Sequence, residues 1–119
     1  MKNFRRLKVW QKSHAVALEI YKVTKTFPKT ELYGLTSQMR RASVSVSSNV
    51  AEGCGRGSDA DFARFLYISL GSANELEYLI LLSHDLRFLD ESGNSTLGAA
   101  VIEVKRMLSS LIRRLKADS

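Results

Sequence analysis

The side chains best suited to chemistry in this chain are two histidines and one cysteine. His14 and His84 lack the Glu-x-x-His pattern of di-metal helical bundles, because position 11 is glutamine and position 81 is leucine. Asp85 follows His84, but neighbouring helical positions point about 100° apart, so we expect no catalytic dyad. Cys54 lies between glycines with no histidine near it in sequence, which favours a small residue at a helix end over a nucleophile.

The glycine-rich segment 53–57 has the spacing Gly-x-Gly-x-Gly, which resembles a phosphate-binding loop. A dinucleotide loop follows a strand, whereas this segment follows a predicted helix, so helix termination explains it better. We therefore predict a protein that is not an enzyme and that has no cofactor and no metal site.

Basic side chains are unevenly distributed and predict a surface for an anionic partner. Residues 1–58 carry eleven Lys/Arg against three Glu, and residues 59–119 carry seven Lys/Arg against nine Asp/Glu, which gives +8 and −2. Such cations neutralise phosphates of RNA or DNA and release counterions. The alternative is a solvated helix face. The candidate nucleic-acid-binding residues are Lys2, Arg5, Arg6, Lys8, Lys12, Lys22, Lys25, Lys105, Arg106, Arg113 and Arg114.

A second group of polar residues follows from the small-residue segment 40–53. Asn49 and Glu52 are predicted to form a polar network with arginine at a helix or subunit interface, and a ligand site is the alternative. Glu52 and Arg56 are four residues apart in the favourable order, and Glu52 lies near a helix end where a cation would offset its charge. The candidate interface and network residues are Trp10, Arg40, Arg41, Asn49, Glu52 and Arg56.

Hydrophobic periodicity predicts four helices that position these residues in one domain, 1–119, at about residues 6–26, 32–53, 59–87 and 95–116. Pro28 ends the first helix, Ser58 caps the third, and a loop with Gly93 precedes the fourth. The alternation of valine and serine in segment 43–50 is compatible with a short strand, but a lone strand would have no partner. Short connections between long helices predict an all-α, antiparallel up-down-up-down four-helix bundle.

The first helix carries more apolar surface than one bundle needs. One stripe contains Trp10, His14 and Tyr21, and a neighbouring stripe contains Val16 and Ile20. An apolar arc of about 100° suffices for a helix that packs on one core, so we predict that one stripe meets another subunit. The alternative is a helix sunk deeply in its own core. Small residues in the second helix allow close packing.

Several blocks resemble the four-helix bundle proteins that are also called 23S ribosomal RNA intervening-sequence proteins. The resemblance covers residues 4–89. It is carried by the segments 10–12, 38–42, 48–53, 71–72 and 75–76, which read Trp-Gln-Lys, Gln-Met-Arg-Arg-Ala, Ser-Asn-Val-Ala-Glu-Gly, Gly-Ser and Glu-Leu. It implies a homo-oligomeric ring, commonly a pentamer. Some members are encoded within 23S rRNA genes, and a related group serves diversity-generating retroelements by binding a reverse transcriptase and nucleic acid.

These observations predict a non-enzymatic, oligomeric bundle protein that associates with rRNA or another structured RNA through a basic surface. The alternative is an accessory scaffold for a protein such as a reverse transcriptase. The lone cysteine, the charged N-terminus and the absence of a long uncharged run predict a cytoplasmic protein without a signal peptide or membrane span.

Overall fold

The computed structural model describes residues 2–118, which form four α-helices and no β-strand. The helices are α1 (Lys8–Thr24), α2 (Leu35–Cys54), α3 (Asp59–Asp85) and α4 (Glu91–Asp118), and short 3-10 turns cover Phe4–Arg6 and Lys29–Glu31. The all-α prediction is confirmed, and the segment 43–50 lies in the middle of α2. No helix within residues 2–118 is both long and apolar enough to cross a bilayer.

The buried side of α1 is the second of its two apolar stripes. Val16 and Ile20 are buried in the core, together with Val9 and Phe27. The first stripe is more exposed: Tyr21 is exposed and Trp10 is half-buried, although Ala17 of the same stripe is buried. The structure thus leaves this face of α1 partly exposed, with Trp10 in contact with Phe4 and the Arg40 guanidinium over the Tyr21 ring.

Small residues bring α2 and α3 close together, as the sequence predicts. The buried Ser69 hydroxyl of α3 donates a hydrogen bond to the Val46 carbonyl of α2 at 2.7 Å. The hydroxyls of Ser45 and Ser72 form a second contact between the helices at 2.7 Å. Gly53 lies so near α3 that an added Cβ would be 2.8 Å from Phe62 Cδ1.

The connection between α3 and α4 differs from the prediction. Helix α4 begins at Glu91 rather than near residue 95, because Asp90 caps it. The Gly93 amide donates a hydrogen bond to Asp90 Oδ1 at 2.7 Å, the arrangement expected of an N-cap. Gly93 therefore lies in the first turn and does not break the helix. A Cβ at Gly93 would lie 2.7 Å from Leu89 Cδ1, which accounts for glycine at this position.

The four helices share one core and form a four-helix bundle of 46 × 23 × 20 Å. Helix α1 packs on α2 and α4, and α3 packs on the same two helices. The start of the chain lies beside the end of α2, where the Lys2 amide donates to the Cys54 carbonyl at 3.2 Å. The largest fully buried side chains, which line the bundle axis, are Ile20, Met39, Leu66, Leu76, Ile80 and Leu108.

Candidate nucleic-acid interface

The largest concentration of predicted binding residues lies between the start of α1 and the second half of α4. We call this concavity the α1–α4 groove; its volume is about 430 Å³. Four of its nine lining residues are cationic and four are apolar. They are Arg6, Leu7, Lys8, Val9, Arg106, Met107, Ser110, Leu111 and Arg114. The groove therefore combines basic side chains with an apolar lining.

Local sequence explains why these cations meet. Arg106, Ser110 and Arg114 are spaced by four residues, so they follow one another along the same side of α4 over about 12 Å. Leu7 is the N-cap residue of α1 and is half-buried, whereas Arg6 and Lys8 on either side of it are exposed. Because α1 packs against α4, both sets of cations border the same groove.

The charges of this groove lack compensation within the described chain. Among residues 2–118, no carboxylate lies within 4.0 Å of Arg6, Lys8, Arg106 or Arg114. Two other predicted binding residues are ion-paired. Lys12 Nζ lies 3.5 Å from Glu103 Oε1, and Lys105 Nζ lies 2.6 Å from Glu77 Oε1. Like charges that face one another without a counterion repel, and a bound polyanion would relieve that repulsion.

The remaining predicted cations are scattered over the surface. Lys2 lies at the other side of the bundle, with Nζ 5.1 Å from the centre of the Phe62 ring, and Arg5 lies over Phe4 at 4.6 Å. Arg113 lines an adjacent shallow hollow together with Arg106. Lys22 and Lys25 lie near the far end of α1, and Lys22 borders a separate hollow with His84 and Arg87. The structure thus brings four of the eleven residues together in the groove.

The predicted polar network of α2 separates into independent contacts within one chain. Arg40 Nε donates to Thr24 Oγ1 at 2.9 Å on the side of α1. Asn49 Nδ2 donates to the Ser45 carbonyl at 2.8 Å on the side of α3. Arg40 and Asn49 are nine residues apart, which is half a turn out of phase, so they point to opposite sides of the helix. Arg40 and Asn49 therefore share no contact within one chain.

The other members of that group have different surroundings. Arg56 pairs with Glu52 at 2.8 Å, as the spacing predicts, and its guanidinium lies 4.6 Å from the centre of the Phe65 ring. Arg41 is exposed on α2. Trp10 lies on α1, where it stacks on His14 with ring centres 4.8 Å apart. Each of these side chains is therefore available at the surface rather than held in a buried polar cluster.

Sequence reasoning missed the partner of His84. Its Nε2 lies 3.0 Å from Glu91 Oε2 and its Nδ1 lies 3.7 Å from Asp85 Oδ1. The prediction considered only position 81 and Asp85 as partners of His84, because Glu91 was assigned to a loop and in fact begins α4. Both carboxylates are mainly exposed, so the contact ties the end of α3 to the start of α4.

The other reactive groups form no metal or redox centre in the part of the chain that the structure describes. No group of three or more His, Cys, Asp or Glu side chains there could hold a metal ion. Burial raises the pKa of the Cys54 thiol, and the charge of Lys2 only partly opposes this effect. A protonated, buried thiol is a poor nucleophile. Met107 and Leu111, which line the basic groove, were not among the predicted site residues. The 3-4 periodicity of α4 predicts a core position for Leu111, which is instead half-buried.

Comparison with known proteins agrees with the resemblance drawn from the sequence. Residues 5–110 match the family described as 23S rRNA-intervening sequence protein. A crystal structure of a protein with unknown function from the S23 ribosomal protein family of Bacteroides thetaiotaomicron VPI-5482 is similar over 88% of this chain and 95% of that chain. The two share 26% sequence identity and a TM-score of 0.82. No curated protein matches this chain significantly. The chain belongs to the 23S rRNA-intervening sequence protein family.

Proposed function

We propose that this protein is a non-enzymatic, homo-oligomeric bundle that associates with rRNA or another structured RNA through the α1–α4 groove. The proposal depends on the position of four cations, which line one groove: Arg6, Lys8, Arg106 and Arg114. Within residues 2–118, no carboxylate lies within 4.0 Å of any of them. The description of the family, which refers to 23S rRNA, supports a ribosomal RNA over other polyanions. A cytoplasmic location is part of the proposal.

In this mechanism the groove neutralises phosphates and does not read base sequence. The guanidinium and ammonium groups border the groove, so they contact the RNA backbone, while Met107 and Leu111 offer an apolar surface to sugars. The groove contains no aromatic side chain, so a platform for base stacking is lacking there. Binding should therefore depend strongly on salt and weakly on sequence.

Assembly into a ring, a pentamer by the family resemblance, would display several grooves together. The antiparallel arrangement is part of this proposal and rests on contacts that join Lys2 to Cys54 and Thr24 to Arg40 between α1 and α2. Repetition of a modest patch around an axis raises affinity through multivalency.

Salt-titrated binding of a fluorescent RNA hairpin tests the groove. We expect the variant Arg106→Ala/Arg114→Ala to bind more weakly and to reduce the slope of log affinity against log salt by about 1.4–1.8, which is 0.7–0.9 for each lost phosphate contact. The matched control is Lys25→Ala/Lys29→Ala, which removes the same charge from the opposite end of the bundle and should leave the slope unchanged.

Three results would contradict the proposal. Absence of RNA binding by the unmodified protein at low salt would eliminate the nucleic-acid role. Equal loss in the groove variant and the control would show that net charge, rather than this groove, determines binding. Assembly is tested separately by sedimentation of the protein alone, and a monomer at micromolar concentration would eliminate the ring.

A second candidate function is favoured by the connection between α1 and α2. Leu32 and Tyr33 are exposed there, and Tyr33 is 93% exposed, although neither contributes to the core. Exposed apolar side chains of this kind suit a protein partner, such as a reverse transcriptase. A partner that is retained in a pull-down after nuclease treatment, and lost on Tyr33→Ser, would support this accessory role.

A further inference from the structure

Among the residues that the structure describes, one uncharged polar side chain lines the α1–α4 groove, that of Ser110 in α4. Ser110 lies four residues after Arg106 and four residues before Arg114, so about 6 Å along the helix axis separate it from each. The two arginines are exposed, whereas Ser110 is half-buried. A hydroxyl group is thus placed between two guanidinium groups on the same side of α4.

The fold does not account for this hydroxyl. Ser110 has no hydrogen-bond partner within residues 2–118. Other helical serines do: Ser43 and Ser83 donate to backbone carbonyls one turn earlier, at 2.9 and 2.7 Å. Serine also has a lower helix propensity than alanine, so α4 would form more readily without it. The Ser110 hydroxyl therefore keeps its donor and its acceptors for a ligand in the groove.

The order of groups along α4 matches the order of groups along a nucleic-acid strand. A guanidinium binds a phosphate through paired N–H donors, and Arg106 and Arg114 provide two of them. A strand that is held by its phosphates at both arginines brings an intervening sugar to Ser110. Ribose carries a 2′-hydroxyl that can donate and accept a hydrogen bond, and deoxyribose lacks it.

The rest of the groove favours the backbone of a duplex over unpaired bases. No aromatic side chain lines the groove, so unpaired bases find no stacking platform there. Arg6 and Lys8 add two further cations from the side of α1. A-form RNA exposes its 2′-hydroxyls in a wide and shallow minor groove, where side chains reach them together with the phosphates. The α1–α4 groove thus suits the sugar-phosphate edge of an RNA duplex.

We propose that the Ser110 hydroxyl bonds to a ribose 2′-hydroxyl and thereby makes this protein prefer RNA to DNA. This inference rests on the RNA-binding function proposed above and names the chemical group that the α1–α4 groove recognises. Phosphate contacts from Arg106 and Arg114 provide affinity for either nucleic acid and position the strand. Ser110 provides the discrimination between the two sugars.

The neighbouring serine offers a matched control. Ser109 is also half-buried and also lacks a hydrogen-bond partner within residues 2–118. It lines the adjacent hollow with Lys105 and Arg113 rather than the α1–α4 groove. Ser109→Ala therefore removes the same chemical group from the same helix without changing the groove.

Fluorescence anisotropy with one short hairpin sequence in three forms tests the proposal. The forms are RNA, RNA with fluorine in place of the 2′-hydroxyls, and DNA. The fluorinated form retains the A-form shape but cannot donate the hydrogen bond, so it separates the hydroxyl from the shape of the duplex. We expect the unmodified protein to bind the RNA form about two- to tenfold more tightly than the fluorinated form, the range expected for one neutral hydrogen bond. The DNA form should bind no more tightly than the fluorinated form.

The variants assign this preference to one residue. Ser110→Ala should bind the RNA and fluorinated forms equally, Ser110→Thr should restore part of the preference, and Ser109→Ala should retain it in full. Because Ser110→Ala removes no cation, the slope of log affinity against log salt should stay unchanged. Circular dichroism verifies that each variant is folded.

Each contrary result has its own meaning. Equal binding of all three forms by the unmodified protein overturns the reading of the sugar and leaves the proposed RNA association in place. A preference that persists in Ser110→Ala, or that is lost equally in Ser109→Ala, overturns the assignment to Ser110. Absence of RNA binding at low salt overturns the proposed function itself, and this inference with it.

Discussion

The close approach of α2 and α3 at Gly53 makes a quantitative prediction for Gly53→Ala. The new Cβ would lie 2.8 Å from Phe62 Cδ1 and 3.0 Å from Phe65 Cβ. Phe62 is buried and Phe65 Cβ is next to the backbone, so relief requires movement of α3. Overpacking of this kind costs about 1–3 kcal/mol, and alanine regains at most about 1 kcal/mol of helix propensity. We expect a net loss of about 1–2 kcal/mol.

Urea denaturation monitored by circular dichroism measures this loss. All variants are compared at one protein concentration, because the proposed assembly would contribute to apparent stability. Gly57→Ala is the control, since a Cβ at this loop position meets no atom within 4 Å. It should change the free energy of unfolding by less than about 1 kcal/mol.

A double-mutant cycle with Phe62→Leu attributes the loss to the contact. Phe62→Leu alone should cost about 1–2 kcal/mol through a cavity, but it removes the aromatic atom nearest the new methyl group. The double variant should therefore be more stable than the sum of the two losses by about 0.5–1.5 kcal/mol. The tight α2–α3 packing is refuted if the Gly53→Ala protein is as stable as the unmodified protein. It is also refuted if the losses of the two single variants simply add in the double variant.

Other variants test single contacts. Ser69→Ala removes a buried hydrogen bond from α3 to the Val46 carbonyl and should cost about 1 kcal/mol in urea denaturation. Arg40→Met removes the contact with Thr24 and should cost a similar amount, with lysine restoring little of it. The raised pKa of Cys54 keeps the native thiol protonated above its unfolded value of 9.0, so stability should fall as pH rises beyond about 9. Cys54→Ala should flatten this alkaline loss between pH 9 and 10; an unchanged pH profile would contradict the burial.

Much of the helical framework could be predicted from sequence because its causes are local. The residues of α3 that recur at steps of three and four are all buried; they are Phe62, Leu66, Ser69, Ala73, Leu76, Ile80 and Ser83. The Ser58 hydroxyl accepts a hydrogen bond from the Asp61 amide at 3.1 Å, as expected for an N-cap. Periodicity and capping act within a few residues, so the sequence alone contains them.

The start of α4 was predicted wrongly because two local signals compete there. Gly93 is typical of a helix end, and Asp90 is a strong N-cap three residues earlier. The structure resolves the competition in favour of Asp90, since packing of Leu89 against Gly93 fixes the turn. The resulting helix brings Glu91 to His84, a contact that no spacing rule anticipated.

The amino-acid sequence by itself determined the number of helices, most of their buried positions and the excess of apolar surface on α1. Tertiary structure alone decided which α1 stripe faces the core and which four of eleven candidate cations converge. It also separated Arg40 from Asn49 and left Gly71 and Gly98 open to solvent. The physical reason is that periodicity fixes a residue's angle around its own helix, whereas convergence depends on how neighbouring helices are rotated and displaced against one another.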